Sequence, residues 1–314
     1  MKRAVVTGAT GFVGANLARR LLAEGHEVHL LARPGHAPWR IEAIKADVRL
    51  HVLNLGEAGA LARVVADIRP EWVFHLAAHG AYSWQTDLAR MIQTNVIETV
   101  NLVEACLRAG FEAFVNTGSS SEYGYKDHAP PETEWLEPNS HYAVSKASAT
   151  LFCRYTAQSA RAHIPTLRLY SVYGPYEDPN RLIPTIIARG LKGELPPLAS
   201  PDVARDYVYV EDVCDAYLLA AAAPDQEPGA VYNVGTGVQT TIRRVVEVAR
   251  RAMRIEAEPQ WGTMPNRQWD TNVWLADNRK IRAALGWSPK FDFERGFEKT
   301  VEWFRQSPEQ VSSK

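Results

Sequence analysis

The stretch RAVVTGATGFVG, Arg3 to Gly14, narrows the possible folds more than any other part of the chain. An apolar run ends at Thr7. Gly8, Gly11 and Gly14 follow with G-x-x-G-x-x-G spacing, and GANLARRLLAEG then reads as a helix that ends at Gly25. A strand that turns through glycines directly into a helix is the opening unit of a parallel sheet. The missing Cβ atoms allow a tight turn, and they let backbone N–H groups at a helix N-terminus approach a pyrophosphate. A glycine pattern alone is weak evidence; its place between strand and helix gives it force. The residues expected at such a cofactor are Gly8, Thr10, Gly11, Phe12, Val13 and Gly14.

The alternation continues. EVHLLAR and RLHVLNL read as strands, ALARVVADIRP as a helix up to Pro70, EWVFHLAA as a strand, and NVIETVNLVEACLRAG as a helix closed by Gly110. EAFVNTGS is a strand, HYAVSKASATLFCRYTAQSA a helix and IPTLRLYSVYG a strand. Apolar strands alternating with helices predict an α/β fold, a doubly wound parallel sheet covered on both faces. After Gly174 prolines cluster (GPYEDPN, ELPPLASPD). The expected division is a nucleotide-binding domain over 1–174 and a smaller α/β substrate lobe over 175–314, with segments returning to the sheet.

Composition narrows the partners. The formal net charge is −1 with no basic block, which argues against a nucleic-acid surface. No apolar run approaches a membrane span, and the chain enters a strand at once, so a soluble, cytoplasmic protein is expected. Cys106, Cys153 and Cys214 form neither a Cys-x-x-Cys pair nor an even set, and read as buried free thiols. The histidines show no metal-ligand spacing, so no metal is expected.

Tyr142 and Lys146 form a Tyr-x-x-x-Lys within a helical segment, which puts both on one face. An ammonium near a phenol lowers its pKa, and such a pair suits proton transfer at a carbinol oxygen during hydride transfer. At the end of the second strand a dinucleotide site commonly has an acid for the ribose 2′-hydroxyl. Here Arg33 stands there, with Arg40 beyond it. A guanidinium suits a 2′-phosphate, so NADP(H) is the preferred cofactor and NAD(H) the alternative.

With these motifs in order, the chain resembles an extended short-chain dehydrogenase/reductase of the nucleotide-sugar epimerase/dehydratase type. The likeness is carried by TGATGFVG, HLAA at His75–Ala78, Asn95 in TNVIET, GSSSEYG, YAVSK, SVYGP, RDYVYVEDV, YNVGTG and NRQWD. It implies a Rossmann domain for the nicotinamide cofactor and a lobe that clamps a nucleoside-diphosphate sugar. The cofactor contacts it implies extend to Asn54, Leu55, Leu76, Ala77, Ala78, Tyr170 and Val172, and include Tyr142 and Lys146. The implied catalytic set is Ser119, Tyr142 and Lys146, with Asn95 in support. Arg205 and Arg267 match the family's diphosphate contacts and Asp270 its ribose contact. Ser171 stands where many relatives have Asn. His79, Tyr82 and Trp84 lie on the loop that usually meets the sugar. Homodimers are common in the family, through helices that here would include the YAVSK helix with Leu151 and Phe152.

GSSSEYG separates the subtypes. Counted back from Tyr123–Gly124, Ser119 takes the catalytic Ser/Thr position. The next two positions, which in the 4,6-dehydratases end in a Glu that removes a sugar proton, are Ser120 and Ser121. Glu122 comes one residue late, and on a strand-like segment one residue turns a side chain to the other face. A dehydratase is therefore not expected. The choice left is a reductase of a 4-keto-6-deoxy sugar nucleotide or a 4-epimerase with bound NAD. Arg33, and a finer similarity to CDP-abequose and CDP-paratose synthases, favour the reductase. A non-catalytic nucleotide-sensing module is the remaining alternative from another class, opposed by the complete Ser119–Tyr142–Lys146 set.

Overall fold

The first strands are apolar on both faces because helices cover both. The computed structural model describes residues 1–82, 84–223, 227–264 and 271–307. Strands β1 (Arg3–Thr7), β2 (Glu27–Ala32), β3 (Arg49–Val52), β4 (Trp72–His75), β5 (Ala113–Ser119) and β6 (Thr166–Leu169) run parallel in one sheet. The sheet order is β3-β2-β1-β4-β5-β6-β9, its far edge being β9 (Val231–Val234), which pairs in parallel with β6. Winding proceeds outward from β1 in one direction and then, from β4, in the other. That reversal opens a crevice at the carboxyl ends of β1 and β4, where doubly wound sheets bind ligands.

Helices α1 (Phe12–Ala23) and α7 (Val210–Ala222) cover one face, sharing a core of Leu17, Leu21, Phe74, Val115, Val213 and Tyr217. On the other face lie α2 (Ala58–Ile68), the helical run made of α3 (Leu88–Ile92) and α4 (Glu98–Ala109), and α5 (His141–Ala160). Leu61, Val65, Leu102, Val103, Phe114 and Cys153 form the core there.

The strand predicted to run unbroken over Ile164–Gly174 is two strands. Tyr170 still donates to Val234 O at 3.0 Å, but Val172 N–H bonds back to Tyr170 O at 2.9 Å, a tight turn that swings the chain out of the sheet. β7 (Ser171–Tyr173) then pairs with β8 (Ala204–Tyr209), and β8 with the antiparallel β10 (Gln239–Thr241). Around this small sheet pack α6 (Leu182–Gly190), α8 (Ile242–Met253) and α10 (Phe293–Gln306), with Tyr173, Tyr209, Ile187, Val245 and Phe297 in a core of their own. The short α9 (Arg279–Leu285) lies by β9, Ile281 joining the first core. Among the described residues no helix is long and apolar enough to cross a membrane.

Candidate active site

The glycine loop is built by contact with the next strand over. Gly8 has φ +68°, and a Cβ on it would lie 2.5 Å from Leu76 C; a Cβ on Gly14 would lie 2.4 Å from Gly8 O. Only glycine lets the loop come this close to the end of β4, and α1 this close to the loop. No side chain caps α1 and no acid stands in its first turn, which Phe12 and Val13 begin. Its leading N–H groups are free for an anion, so the loop fits a dinucleotide pyrophosphate. The Thr7 hydroxyl fixes the other wall, bonding Leu76 N–H at 3.1 Å, Ala77 N–H at 3.2 Å and His75 Nδ1 at 2.8 Å. His75 Nε2 pairs with Thr99 Oγ1 at 2.8 Å, and burial pushes the imidazole down to about 3, so it is neutral.

Around the crevice, Ala78 is exposed, Leu55 is buried, and Asn54 turns its Oδ1 to Gly56 N–H at 3.0 Å. Arg33 is exposed at the end of β2. Arg40 is otherwise engaged: Nε donates to Tyr176 O at 2.7 Å, Nη1 to Thr10 O at 3.3 Å, and the guanidinium lies 4.2 Å over the Trp39 ring. It ties the glycine loop to the segment after β7. Of the expected contacts after β6, Val172 is half-buried on β7. Tyr170 is buried beside Gly235 and its hydroxyl has no hydrogen-bond partner, while its backbone N–H and O are engaged by Val234 and Val172.

Tyr142 and Lys146 stand one turn apart on α5, which Ser140 caps by accepting from Ala143 N–H. Lys146 is 4% exposed. Burial lowers its pKa, and the charge of Glu122 opposes this. Burial likewise pushes the Tyr142 phenol up to about 12, against the pull of the facing Ser119 hydroxyl. The lowered phenol expected from the Tyr-x-x-x-Lys pattern is therefore not the state of the protein alone, because desolvation outweighs the neighbouring charges. Arg181 and Tyr82 also face Tyr142.

The serines form a turn. Ser119 ends β5 and caps a short 3-10 turn, Ser120–Tyr123. Its Oγ lies 2.8 Å from Ser121 Oγ, and Ser120 Oγ accepts from Trp274 Nε1 at 3.1 Å. Glu122 points into the core, bonded to Arg168 Nε at 2.8 Å. Its direction is set by the helical turn the chain has entered, not by strand alternation. Ser121 stands where the resemblance places the Glu of the 4,6-dehydratases.

Asn95 sits in a π-helical turn, Gln93–Ile97, between α3 and α4. Its side chain accepts from His79 N–H at 2.8 Å, and donates to His79 O and to Ser145 Oγ, each at 2.8 Å. With these groups engaged, Asn95 positions the loop after β4 against α5; it is not a reacting group. On that loop Tyr82 stacks on Trp84, ring centroids 4.6 Å apart, and Arg181 lies 5.0 Å over Tyr82. Arg205 reaches from β8 over the Trp274 ring at 5.4 Å and donates to Ala204 O at 2.8 Å. Trp274 thereby links Arg205 to Ser120. Ser171 is half-buried on β7, paired with Tyr207. Arg267 and Asp270 lie outside the described residues. Sequence reasoning missed Thr7, Thr99, Thr150, Arg168 and Trp274, which hold the site together. Among the described residues no cluster of His, Cys, Asp or Glu could hold a metal ion.

The model of the NAD dependent epimerase/dehydratase family matches residues 4–235. The chain belongs to this family. Its members are NAD-dependent enzymes of the extended short-chain dehydrogenase/reductase type. Over 96% of its length the chain is 32% identical to UDP-glucose 4-epimerase of Mycolicibacterium smegmatis, of which it covers 98%. It is 28% identical to dTDP-glucose 4,6-dehydratase of Streptomyces griseus, with 96% of the chain and 94% of that protein aligned. The fold superposes on Thermus thermophilus UDP-glucose 4-epimerase in complex with NAD with a TM-score of 0.86 at 30% identity, covering 96% of this chain and 99% of that one. These relatives favour the epimerase alternative over the reductase expected from Arg33.

Proposed function

We propose that the protein is a nucleoside-diphosphate-sugar 4-epimerase with bound NAD. The observation that carries this is Ser119 facing Tyr142, with Lys146 beside it and Glu122 turned into the core. Such a site supports hydride transfer at one carbon and lacks the base for elimination. Bound NAD would accept the hydride from the carbinol carbon and return it. Gly8, Gly11, Gly14, the first turn of α1 and Lys146 would hold the cofactor. Tyr142 takes the proton of the sugar hydroxyl and later gives one back to the same oxygen. Ser119 donates a hydrogen bond to that oxygen, and Lys146 supplies positive charge. Inversion needs both faces of the keto sugar to meet the cofactor, so the nucleotide must stay held while the sugar turns; Arg205, with Ser120 and Trp274 beside it, supports an anchor for the diphosphate. The division into a cofactor domain over 1–174 and a sugar-nucleotide lobe over 175–314 belongs to this proposal.

Arg33, exposed at the end of β2, where a dinucleotide site commonly has an acid, favours a second reading: a 4-keto-sugar reductase using NADPH. One experiment separates the two. The purified protein is denatured and any released nicotinamide identified by mass, and the protein is then assayed with UDP-glucose, and with NADPH plus UDP-4-keto-6-deoxyglucose. Near-stoichiometric NAD together with UDP-galactose formation supports the epimerase. An empty protein that oxidises NADPH in preference to NADH, with the keto sugar alone, overturns it.

The helices beside the site support a homodimer. Ile97 on the π-turn and Val144, Leu151 and Tyr155 on α5 are 44%, 46%, 57% and 71% exposed; Phe152 is half-buried, packed against the core. Leu151→Glu is expected to convert a dimer into a monomer in size-exclusion chromatography with light scattering, while Phe152→Glu destabilises the fold. A wild-type monomer at micromolar concentration refutes this assembly.

A further inference from the structure

Glu122, left without a task by the chemistry above, sits where three elements meet. It is 0% exposed. Oε1 accepts from Ser119 N–H at 2.8 Å and from the Thr150 hydroxyl at 3.1 Å, and Oε2 accepts from Arg168 Nε at 2.8 Å. All three partners donate, so an ionised carboxylate satisfies them and an amide cannot. Tyr142, Lys146 and Thr150 succeed one another at intervals of four on α5, hence on one face. The carboxylate therefore joins the Ser119 end of β5 to the α5 face that carries Tyr142 and Lys146, and both to β6. The frame continues across the sheet: Arg168 Nη1 donates to Tyr123 Oη at 2.8 Å, and Tyr123 donates to Asn233 Oδ1 on β9 at 2.8 Å.

We propose that Glu122 is a positioning residue of the hydride-transfer site, fixing Ser119 against Tyr142 and Lys146 and standing behind them as a buried anion. This rests on the reading of Ser119, Tyr142 and Lys146 as the reacting set. The groups facing Tyr142 and Lys146 are Glu122 from the turn after β5, His75 from β4, Tyr82 from the following loop, Arg181 ahead of α6, Tyr217 from α7 and Cys153 from α5. Glu122 is the carboxylate among them. A negative charge favours the protonated form of every neighbour, so removing it lowers the pH at which both Tyr142 and Lys146 titrate.

The test uses Glu122→Gln/Arg168→Met, which removes both charges of the buried pair and leaves neither ion stranded. The charge of Glu122, and not that of Arg168, is felt at Tyr142 and Lys146, so the kcat/KM–pH profile, read with UDP-glucose or with NADPH and UDP-4-keto-6-deoxyglucose, is expected to move toward acid by a few tenths of a pH unit, the lost cation offsetting part of the effect. A variant that loses thermal stability while its profile stays in place has a merely structural Glu122 and overturns the inference. Glu122→Asp keeps the charge but falls short of Ser119 N–H. Its kcat should drop roughly tenfold with KM nearly constant and the profile unmoved; wild-type kcat overturns the positioning role, whether or not the paired variant folds. Should the wild type turn over neither sugar nucleotide, the proposed function fails separately. Tyrosinate absorbance, taken as the difference from Tyr142→Phe, then reads the Tyr142 midpoint directly, and an equal midpoint in the paired variant and the wild type overturns the inference.

Discussion

Tyr142→Phe is expected to lower turnover by a factor on the order of 10²–10⁴ and to leave cofactor binding nearly unchanged. The ring fills the same space, so the α5 face keeps its packing and Lys146 its place. What is lost is the oxygen that exchanges a proton with the sugar. Burial holds this phenol up at about 12, so in the protein alone it is protonated at neutral pH and ready to donate. To accept a proton it depends on positive charge at the site, which Lys146 and an oxidised nicotinamide would supply. Ser119 is no substitute: its hydroxyl lies 2.8 Å from Ser121 Oγ, and a serine is too weak an acid and base for the task. The measurement is kcat with the sugar nucleotide the wild type turns over, alongside NAD occupancy and thermal midpoint. A fall of less than tenfold with a folded, NAD-bearing protein removes Tyr142 from the mechanism.

The parts of this site legible in sequence are those fixed by local spacing. Tyr142 and Lys146 declare a shared face by their separation, and the glycines declare a turn by theirs. Ser119 was placed only by the resemblance, counted back from Tyr123–Gly124. What was not legible depends on partners far along the chain. Glu122 meets Arg168 across 46 residues, and Thr7 meets His75 across 68. Arg40 looks like a phosphate ligand until Tyr176 O, 136 residues on, takes its Nε. The break between β6 and β7 is hidden for another reason. LRLYSVY has the apolar character of one strand, and the turn at Tyr170 comes from pairing with two different sheets, not from a local breaker. Asn95 entered through the resemblance as a supporting residue; the π-helical turn that carries it left little trace in the order of residues.

Gly14→Ala carries the second large effect, and it acts through geometry alone. Gly14 lies inside α1, where alanine would ordinarily be the better helix former. A Cβ there would meet Gly8 O at 2.4 Å, Gly8 C at 2.8 Å and Ala9 Cα at 2.9 Å, all backbone. None of these atoms can rotate aside, so α1 must move away from the loop or the loop must open. Either displaces the N–H groups from the place a pyrophosphate needs them. Affinity for NAD is expected to fall on the order of 100-fold, about 2.8 kcal/mol at 1.4 kcal/mol per decade, and overpacking to cost stability of about 1–3 kcal/mol. Gly59→Ala is the matched control. Gly59 is also helical, in α2, and a Cβ there meets only the end of the Arg63 side chain, at 3.9 Å. That change should stabilise the fold by roughly 0.5–1 kcal/mol and leave NAD binding unaltered. NAD titration by calorimetry and the thermal midpoints of the two variants check the contrast. If Gly14→Ala binds NAD as the wild type does, the close approach of α1 to the loop is packing only, and the cofactor lies elsewhere.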